Sequence, residues 1–448
     1  MLLGYYGDDF TGSTDVLEAL TTSGVPTALF TEPPSPDLLS RFPHVKAIGI
    51  AGNSRTMSPA QMDAVLPAAF KTLRDLNPAI VHYKTCSTFD SSPVFGSIGR
   101  AIEIGQRVFQ NRVTPLVVGS PNLQRFCVFG NLFARSGLDS PVHRLDRHPT
   151  MSYHPVTPMM EADLRLHLRE QTPQPVSLVD VLTLDRGKAA VNAVVDESAG
   201  RIVLYDTLTS GHLSTIGESI WQIQQAEGKP YFVAGSSGIE SALTAHWREV
   251  GIAESESKGF APPRSVAHAL MISGSCSPVT ERQIAWATAH GVMEVPLDAA
   301  QLLNSPAPES EISAVARRIA ALLDAGRSVV AHTCRGPGDE RIRAAKQAGP
   351  SALCGDALGV ILGRILARVL DLRLVERVAV AGGDTSGAVA RAVGISALEM
   401  IGPLAPGAPL CVAHSRSGAV AGVEFTFKGG QVGHDDFFAA LLAGGPNR

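Results

Sequence analysis

The 448-residue sequence is poor in charge and in aromatics, with 18% Asp, Glu, Lys and Arg and 6% Phe, Trp and Tyr. Its 38 Lys and Arg against 42 Asp and Glu leave a net charge of −4. The basic residues form no stripe, so general binding to a phosphate backbone is excluded. Six cysteines, Cys86, Cys127, Cys276, Cys334, Cys354 and Cys411, include no CxxC pair. Neither a disulfide framework nor a zinc ribbon is expected, and reduced thiols in a cytoplasm fit better. The opening MLLGYYGDDF lacks a basic start, and Asp8 and Asp9 break its apolar run, so neither secretion nor a membrane span is indicated. The longest later apolar stretch, near 357 to 375, is interrupted by Arg364, Arg368, Asp371 and Arg373 and suits a buried soluble helix. Walker A, GxGxxG and GxSxG patterns are missing, which disfavours a serine hydrolase. No fixed-period repeat occurs.

What is present is a turn-rich chain, 45% hydrophobic, with 43 glycines and 30 prolines spread along it. Single cores seldom grow beyond roughly 250–300 residues, so two domains are expected. Strand-length apolar runs alternate with helical patterns: LLGYYG, STDVLEALTTSG, VPTALF, VKAIGIAG, PAQMDAVLPAAFKTLRDLN, AIVHYKTC. This βαβ rhythm resumes after a less regular stretch from about 120 to 175. The polar, Pro-ending segment 251–265 reads as a linker. Residues 1–250 then form one domain and 266–448 a second. The fold class is α/β, with two α/β domains, mainly parallel sheets and an interdomain cleft.

In parallel sheets ligands sit beyond the carboxyl ends of the strands. In the first domain those ends carry Gly7-Asp8-Asp9 before Thr11, then Gly52-Asn53-Ser54-Arg55, Lys84-Thr85-Cys86-Ser87-Thr88 and Gly119-Ser120-Pro121-Asn122. Such a rim suits a small, oxygen-rich anion. Polar turn residues also cap helices, but Asp8 and Asp9 cannot both be one cap. One of them is expected to accept a substrate proton or to position Mg²⁺; which does which is open, as are the metal ligands. Lys84 ends an apolar strand beside these acids. In the second domain Ser273-Gly274-Ser275-Cys276-Ser277, Gly382-Gly383-Asp384-Thr385 and Lys428-Gly429-Gly430 offer backbone N–H groups that could cradle phosphate. His143, His148 and His154 match no helical metal pair, which leaves structural or substrate-contacting roles.

Taken in order, these motifs resemble the four-carbon acid sugar kinase family over essentially the whole chain. GDDFTGSTD resembles its A-D-D-x-T-G-A-x-D signature at Asp8, Asp9, Thr11, Gly12 and Asp15. GNSR keeps Ser54 and Arg55, YKTCST keeps Lys84, Ser87 and Thr88, and HPVTPM, with His154, is similar to H-P-x-T-P-M. SGSCS, GGDTSG and KGGQVG resemble its nucleotide-binding turns. The resemblance implies an ATP- and Mg²⁺-dependent kinase acting on the terminal hydroxyl of a small sugar acid. Asp8, Asp9 and Lys84 would be catalytic; Thr11, Asn53, Ser54, Arg55, Ser87, Thr88 and His154 would hold substrate. Ser273, Ser275, Ser277, Gly382, Gly383, Asp384, Thr385, Lys428 and Gly430 would hold nucleotide, and a homodimer is plausible. Cys86 replaces the usual Asp, Asp90 the usual Arg, and KGGQVG stands for K-S-G-N-F-G. The missing arginine points to a subgroup with a different or branched substrate such as 3-oxo-isoapionate, with 3-oxotetronate, threonate and erythronate left open. Two alternatives stand beside the kinase: a Schiff-base aldolase or lyase using Lys84, and a non-catalytic sugar-acid sensor.

Overall fold

The structure, a computed structural model, describes residues 1–135, 141–154, 156–254, 259–261, 263–305, 308–347, 355–373 and 375–445. Cys354, Pro262 and residues 255–258 of the expected linker lie outside the described residues, as does the side chain of Asp384. The chain divides into two compact units, Met1–Thr27 with Pro33–Ser257, and Ala28–Glu32 with Lys258–Arg448.

Up to residue 257 the strands are β1 (Leu3–Gly7), β2 (Thr27–Phe30), β3 (Ala47–Ala51), β4 (Ile80–Lys84), β5 (Thr114–Val117), β6 (Arg125–Val128), β7 (Asn131–Arg135), β8 (Val142–Arg144), β9 (Val176–Val179), β10 (Ile202–Tyr205) and β11 (Tyr231–Gly235). The first unit's main sheet runs β9-β10-β5-β11-β4-β1-β3, all parallel. The five residues of β1, β3, β4 and β11 are buried throughout, which is why these runs are continuously apolar rather than alternating. Helices cover the sheet. One of them, Pro59–Asp75, starts on a capping box between Ser58 and Gln61 with Pro59 at its first position. Phe70 packs edge-on or tilted against Tyr6, Tyr83, Phe109 and Phe232 to fill the core beneath. Registers pair Gly7 with both Ala51 and Lys84, and Lys84 with Gly235. The carboxyl ends of four strands therefore finish level.

Two features differ from the sequence expectation. The stretch after 120 contains a three-stranded antiparallel sheet, β6-β7-β8. Its first turn, Phe129-Gly130, has both φ angles positive (51° and 79°), the geometry of a tight hairpin turn. Asp206 accepts hydrogen bonds from both turn amides, at 2.5 and 2.9 Å. The second difference concerns β2, expected within the first domain. Ala28–Glu32 belong to the second unit, and β2 runs antiparallel to a strand of the C-terminal half.

That half contains β12 (Leu270–Ser273), β13 (Met293–Pro296), β14 (Val329–His332), β15 (Arg377–Ala381), β16 (Ile395–Ala405), β17 (Ala408–Ser415) and β18 (Glu424–Lys428). The order β13-β14-β12-β15-β18 is parallel, and β17, β16 and β2 continue it antiparallel. Ser273 is in register with Ala381 and His332, and Ala381 with Lys428. Here too the polar turns begin at one level.

Candidate active site

In the first unit the carboxyl ends of β1 and β4 and the turn after β3 assemble a charged centre. Asp8 is 2% exposed, its amide donates to Lys84 O at 2.9 Å and its carbonyl accepts from Arg55 N at 3.0 Å. The Arg55 guanidinium then grips both carboxylates: Nη2 and Nε donate to Asp8 at 2.8 and 3.2 Å, and Nη2 and Nη1 to Asp9 at 2.9 and 3.0 Å. The two acids differ in their remaining partners. Asp9 caps the helix Phe10–Thr22, accepting from Gly12 N and from Thr11 Oγ1, each at 2.8 Å. Burial would raise the Asp9 carboxyl, but Arg55, Lys84 and these donors outweigh it and hold it low. Burial dominates at Asp8 and, with the neighbouring Asp9 charge, raises its carboxyl despite Arg55. Asp8 is therefore the acid suited to exchange a proton.

Lys84 is also 2% exposed. Its Nζ donates to Thr85 O at 3.0 Å and lies 3.5 Å from Asp15. Burial would lower this amine, yet Asp15, Asp8 and Asp9 raise it, keeping it charged. A charged amine is no nucleophile, so the Schiff-base alternative loses its chemistry. Beneath the same turn the buried His82 lies between Glu240 Oε1 (2.6 Å) and Gly235 O (3.1 Å). Gly235 has φ 151°, and a Cβ there would lie 2.0 Å from Val117 O; only glycine lets the strands close behind this pair.

The other expected substrate residues are placed unequally. Ser54 is buried with its hydroxyl 3.0 Å from that of Tyr83, which makes it part of the packing. Asn53 and Ser87 are half-buried beside the centre. Thr88 Oγ1 donates to Asp90 Oδ1 at 2.8 Å and lies 3.0 Å from Cys86 Sγ. His154 Nδ1 accepts from Thr157 N at 3.0 Å. Sequence reasoning did not single out Arg125, whose guanidinium feels the Cys86 and Asp90 side chains. Nothing in the RFCV pattern marks it, because a β-hairpin was not expected there.

In the second unit the turn after β12 is held by its own hydroxyls. Ser275 N donates to Ser273 Oγ (3.3 Å), Ser277 N to Ser275 Oγ (3.3 Å), and Ser277 Oγ caps the helix Pro278–Ala289 through Thr280 N (3.2 Å). Ser277 Oγ and Thr280 Oγ1 both donate to Gly430 O, tying this turn to the one after β18. Gly382, with φ 126°, opens the helix Gly383–Ala392 and its amide donates to Lys428 O at 2.9 Å. Thr385 is buried, and its Oγ1 would lie 2.4 Å from a Cβ on Gly274. At Gly430 a Cβ would come within 2.6 Å of Ser275 Oγ. Lys428 Nζ is fully buried, 3.4 Å from Thr280 Oγ1 and 5.6 Å from the centre of the Phe437 ring. It forms no ion pair among the described residues, and burial alone pushes its amine down to about 7. A buried amine beside two glycine turns and a helix N-terminus fits an incoming phosphate group.

Residues 3–243 match a family described as a sugar-binding N-terminal domain, and residues 270–438 one described as a nucleotide-binding C-terminal domain. The chain belongs to the four-carbon acid sugar kinase family. Among its relatives, a Paraburkholderia graminis protein named 3-oxo-isoapionate kinase is 45% identical, covering 99% of this chain and 94% of the relative. A Methylobacterium radiotolerans 3-oxo-tetronate kinase is 31% identical, with 99% of both chains covered. The crystal structure of a Salmonella typhimurium LT2 protein superposes with a TM-score of 0.76 at 26% identity over 98% of each chain. In this four-carbon acid sugar kinase family member, the Asp8 centre falls inside the sugar-binding match and the Lys428 turns fall inside the nucleotide-binding match.

Proposed function

We propose that this chain is an ATP-dependent kinase that transfers the γ-phosphoryl group to the terminal hydroxyl of a small sugar acid. The observation that carries it is the pair of unlike charge deficits. Asp8 is a buried acid with a raised carboxyl in the sugar-binding half, and Lys428 is a buried amine that no anion pairs with among the described residues of the nucleotide-binding half. Asp8 would take the hydroxyl proton while Arg55 and Lys84 hold the acids in place. Lys428 and the amides of Gly383 and Gly430 would neutralise the triphosphate, joined by the Ser275 and Ser277 turn. Phosphoryl transfer needs little covalent help, so positioning and charge neutralisation supply most of the catalysis. Mg²⁺ would arrive on the triphosphate oxygens, as it usually takes few protein ligands, and it would offset charge during transfer.

The 45% identity to a 3-oxo-isoapionate kinase supports a branched 3-oxo acid as preferred substrate, and Asp90, in place of the usual arginine, fits a changed acid pocket. A cytoplasmic homodimer is the accompanying reading, open to light scattering. A coupled ADP-release assay over 3-oxo-isoapionate, 3-oxotetronate, threonate and erythronate tests the function. Turnover greatest on the branched acid is expected. Folded protein with Mg²⁺ and ATP that turns over none of the four would overturn the kinase, and ligand binding without ATP affinity would favour the sensor.

A further inference from the structure

Among the described residues the cysteines carry no disulfide, yet two of them meet. Strands β12 and β14 are parallel neighbours, with Ser273 in register with His332 and Thr333 N donating to Ser273 O at 3.1 Å. The loops that leave them start side by side, and each carries a cysteine within its first three residues, Cys276 and Cys334. Their sulfurs stand 2.9 Å apart, and Cys334 Sγ also reaches Ser275 O at 3.4 Å. A disulfide bond is about 2.05 Å long, so less than about 1 Å of approach separates the two thiols from a covalent link.

The two thiols are not alike. Cys276 is exposed, whereas Cys334 is buried. Cys334 is the donor of the pair, its one proton shared between Cys276 Sγ and Ser275 O. Giving that hydrogen bond and lying buried push the Cys334 thiol well above its ordinary range, so Cys334 keeps its proton and Cys276 is the sulfur placed to attack. Cys276 also directly precedes Ser277, the cap of the helix Pro278–Ala289, and thiolates are favoured at helix N-termini. An exposed sulfur in contact with a buried second thiol is the arrangement of a redox-sensing pair, in which one sulfur reacts and the other resolves it. In a reducing compartment such bonds are transient and regulatory.

We propose that Cys276 is a site of oxidation by hydroperoxides and that Cys334 resolves it into a disulfide that weakens the use of ATP. The Cys276 thiolate attacks one oxygen of hydrogen peroxide. The O–O bond breaks, and the departing hydroxide takes up the proton that Cys276 gave up, leaving Cys276 as a sulfenic acid. The Cys334 sulfur attacks that sulfur, the S–O bond breaks, and the hydroxide leaves as water with the Cys334 proton. Two thiols and one peroxide become one disulfide and two waters. The bond takes the thiol donor from Ser275 O and draws Cys276 toward the loop after β14, in the turn whose Ser277 Oγ holds Gly430 O. The effect on ATP rests on the kinase reading; the oxidation itself does not.

The test treats the reduced full-length chain with hydrogen peroxide, then reads the linkage by peptide mass mapping and the ATP dependence of turnover, and reads both again after dithiothreitol. A peptide pair joining Cys276 to Cys334 is expected. With it, kcat/KM for ATP should fall by about 10–100-fold, the scale of a displacement near 1 Å in a positioning group, and dithiothreitol should restore it. Cys334→Ser keeps a donor for Ser275 O and deletes the resolving sulfur. Its untreated activity should match wild type, while peroxide leaves Cys276 as a sulfenic acid that dimedone labels. Reduced wild-type protein that turns over no acid fails the kinase reading alone, because the linkage is read by mass. Four results overturn the proposal: both thiols intact after peroxide, Cys276 linked to any other cysteine, Cys334→Ser unlabelled at Cys276, or the expected bond with kcat/KM for ATP unchanged.

Discussion

Asp8 and Asp9 are adjacent in sequence but not equivalent in structure. Asp9 ends its carboxylate on a helix cap, with both oxygens also held by Arg55, whereas among the described residues Asp8 accepts side-chain hydrogen bonds from Arg55 alone. Asp8→Asn should lower kcat by at least about 100-fold, the usual scale of general-base help, with ATP affinity nearly intact by calorimetry. Lys428 gives a second expectation. Its folded value of about 7 lies below the ordinary 10.5, so between these pH values the unfolded chain holds a proton that the folded protein lacks. Stability of the nucleotide-free protein therefore rises with pH across that window. An arriving triphosphate favours the charged amine, so ATP binding at a pH inside the window should take up protons. Calorimetry in buffers of different ionisation heat reads that uptake, which Lys428→Met should abolish. Neither asymmetry could be seen in the sequence, because each depends on which groups share a buried neighbour.

At the level of elements, the βα rhythm was legible because buried parallel strands are continuous apolar runs bounded by polar turns, as in IVHYK before Thr85. The hairpin β6-β7 was not. Its turn places Phe129 where Asn or Asp usually announces a positive φ, and the Asp206 carboxylate that holds the turn comes from 76 residues away. Arg125 lies on this illegible excursion, while the residues on strand ends were named in advance. The partner of β2 was equally hidden: TALF is buried at every position, a pattern that cannot distinguish a parallel neighbour from an antiparallel one. Packing between helices gives a third expectation. A Cβ at Gly217, in the helix Ser210–Glu227, would lie 1.9 Å from Ala242 O of the helix Gly238–Glu249. Gly217→Ala should cost about 1–3 kcal/mol in chemical denaturation by forcing the two apart.

For the molecule as a whole, one buried cation joins distant parts of the second unit. Arg377, fully buried on β15, donates to Glu424 on β18, to Leu441 O in the helix Phe437–Ala443 and to Arg264 O near the unit's entry, each at 2.7 Å. Among the described residues, removing it leaves the Glu424 carboxylate only the longer contact to Arg264 Nε at 3.7 Å and three buried contacts unmade, so Arg377→Ala should lose about 3 kcal/mol of stability. The double change Arg377→Met with Glu424→Leu should lose distinctly less, measured by the same urea titration. β2 has a different reach. Thr31 Oγ1 donates to Ile395 O across 364 residues, and β2 pairs with β16 from Ala28 to Phe30. On the ribosome this strand waits while more than 360 further residues are added before its partner appears. A gene split between the halves would leave the later fragment one strand short, to be made whole only by a peptide spanning residues 27–32 supplied in trans.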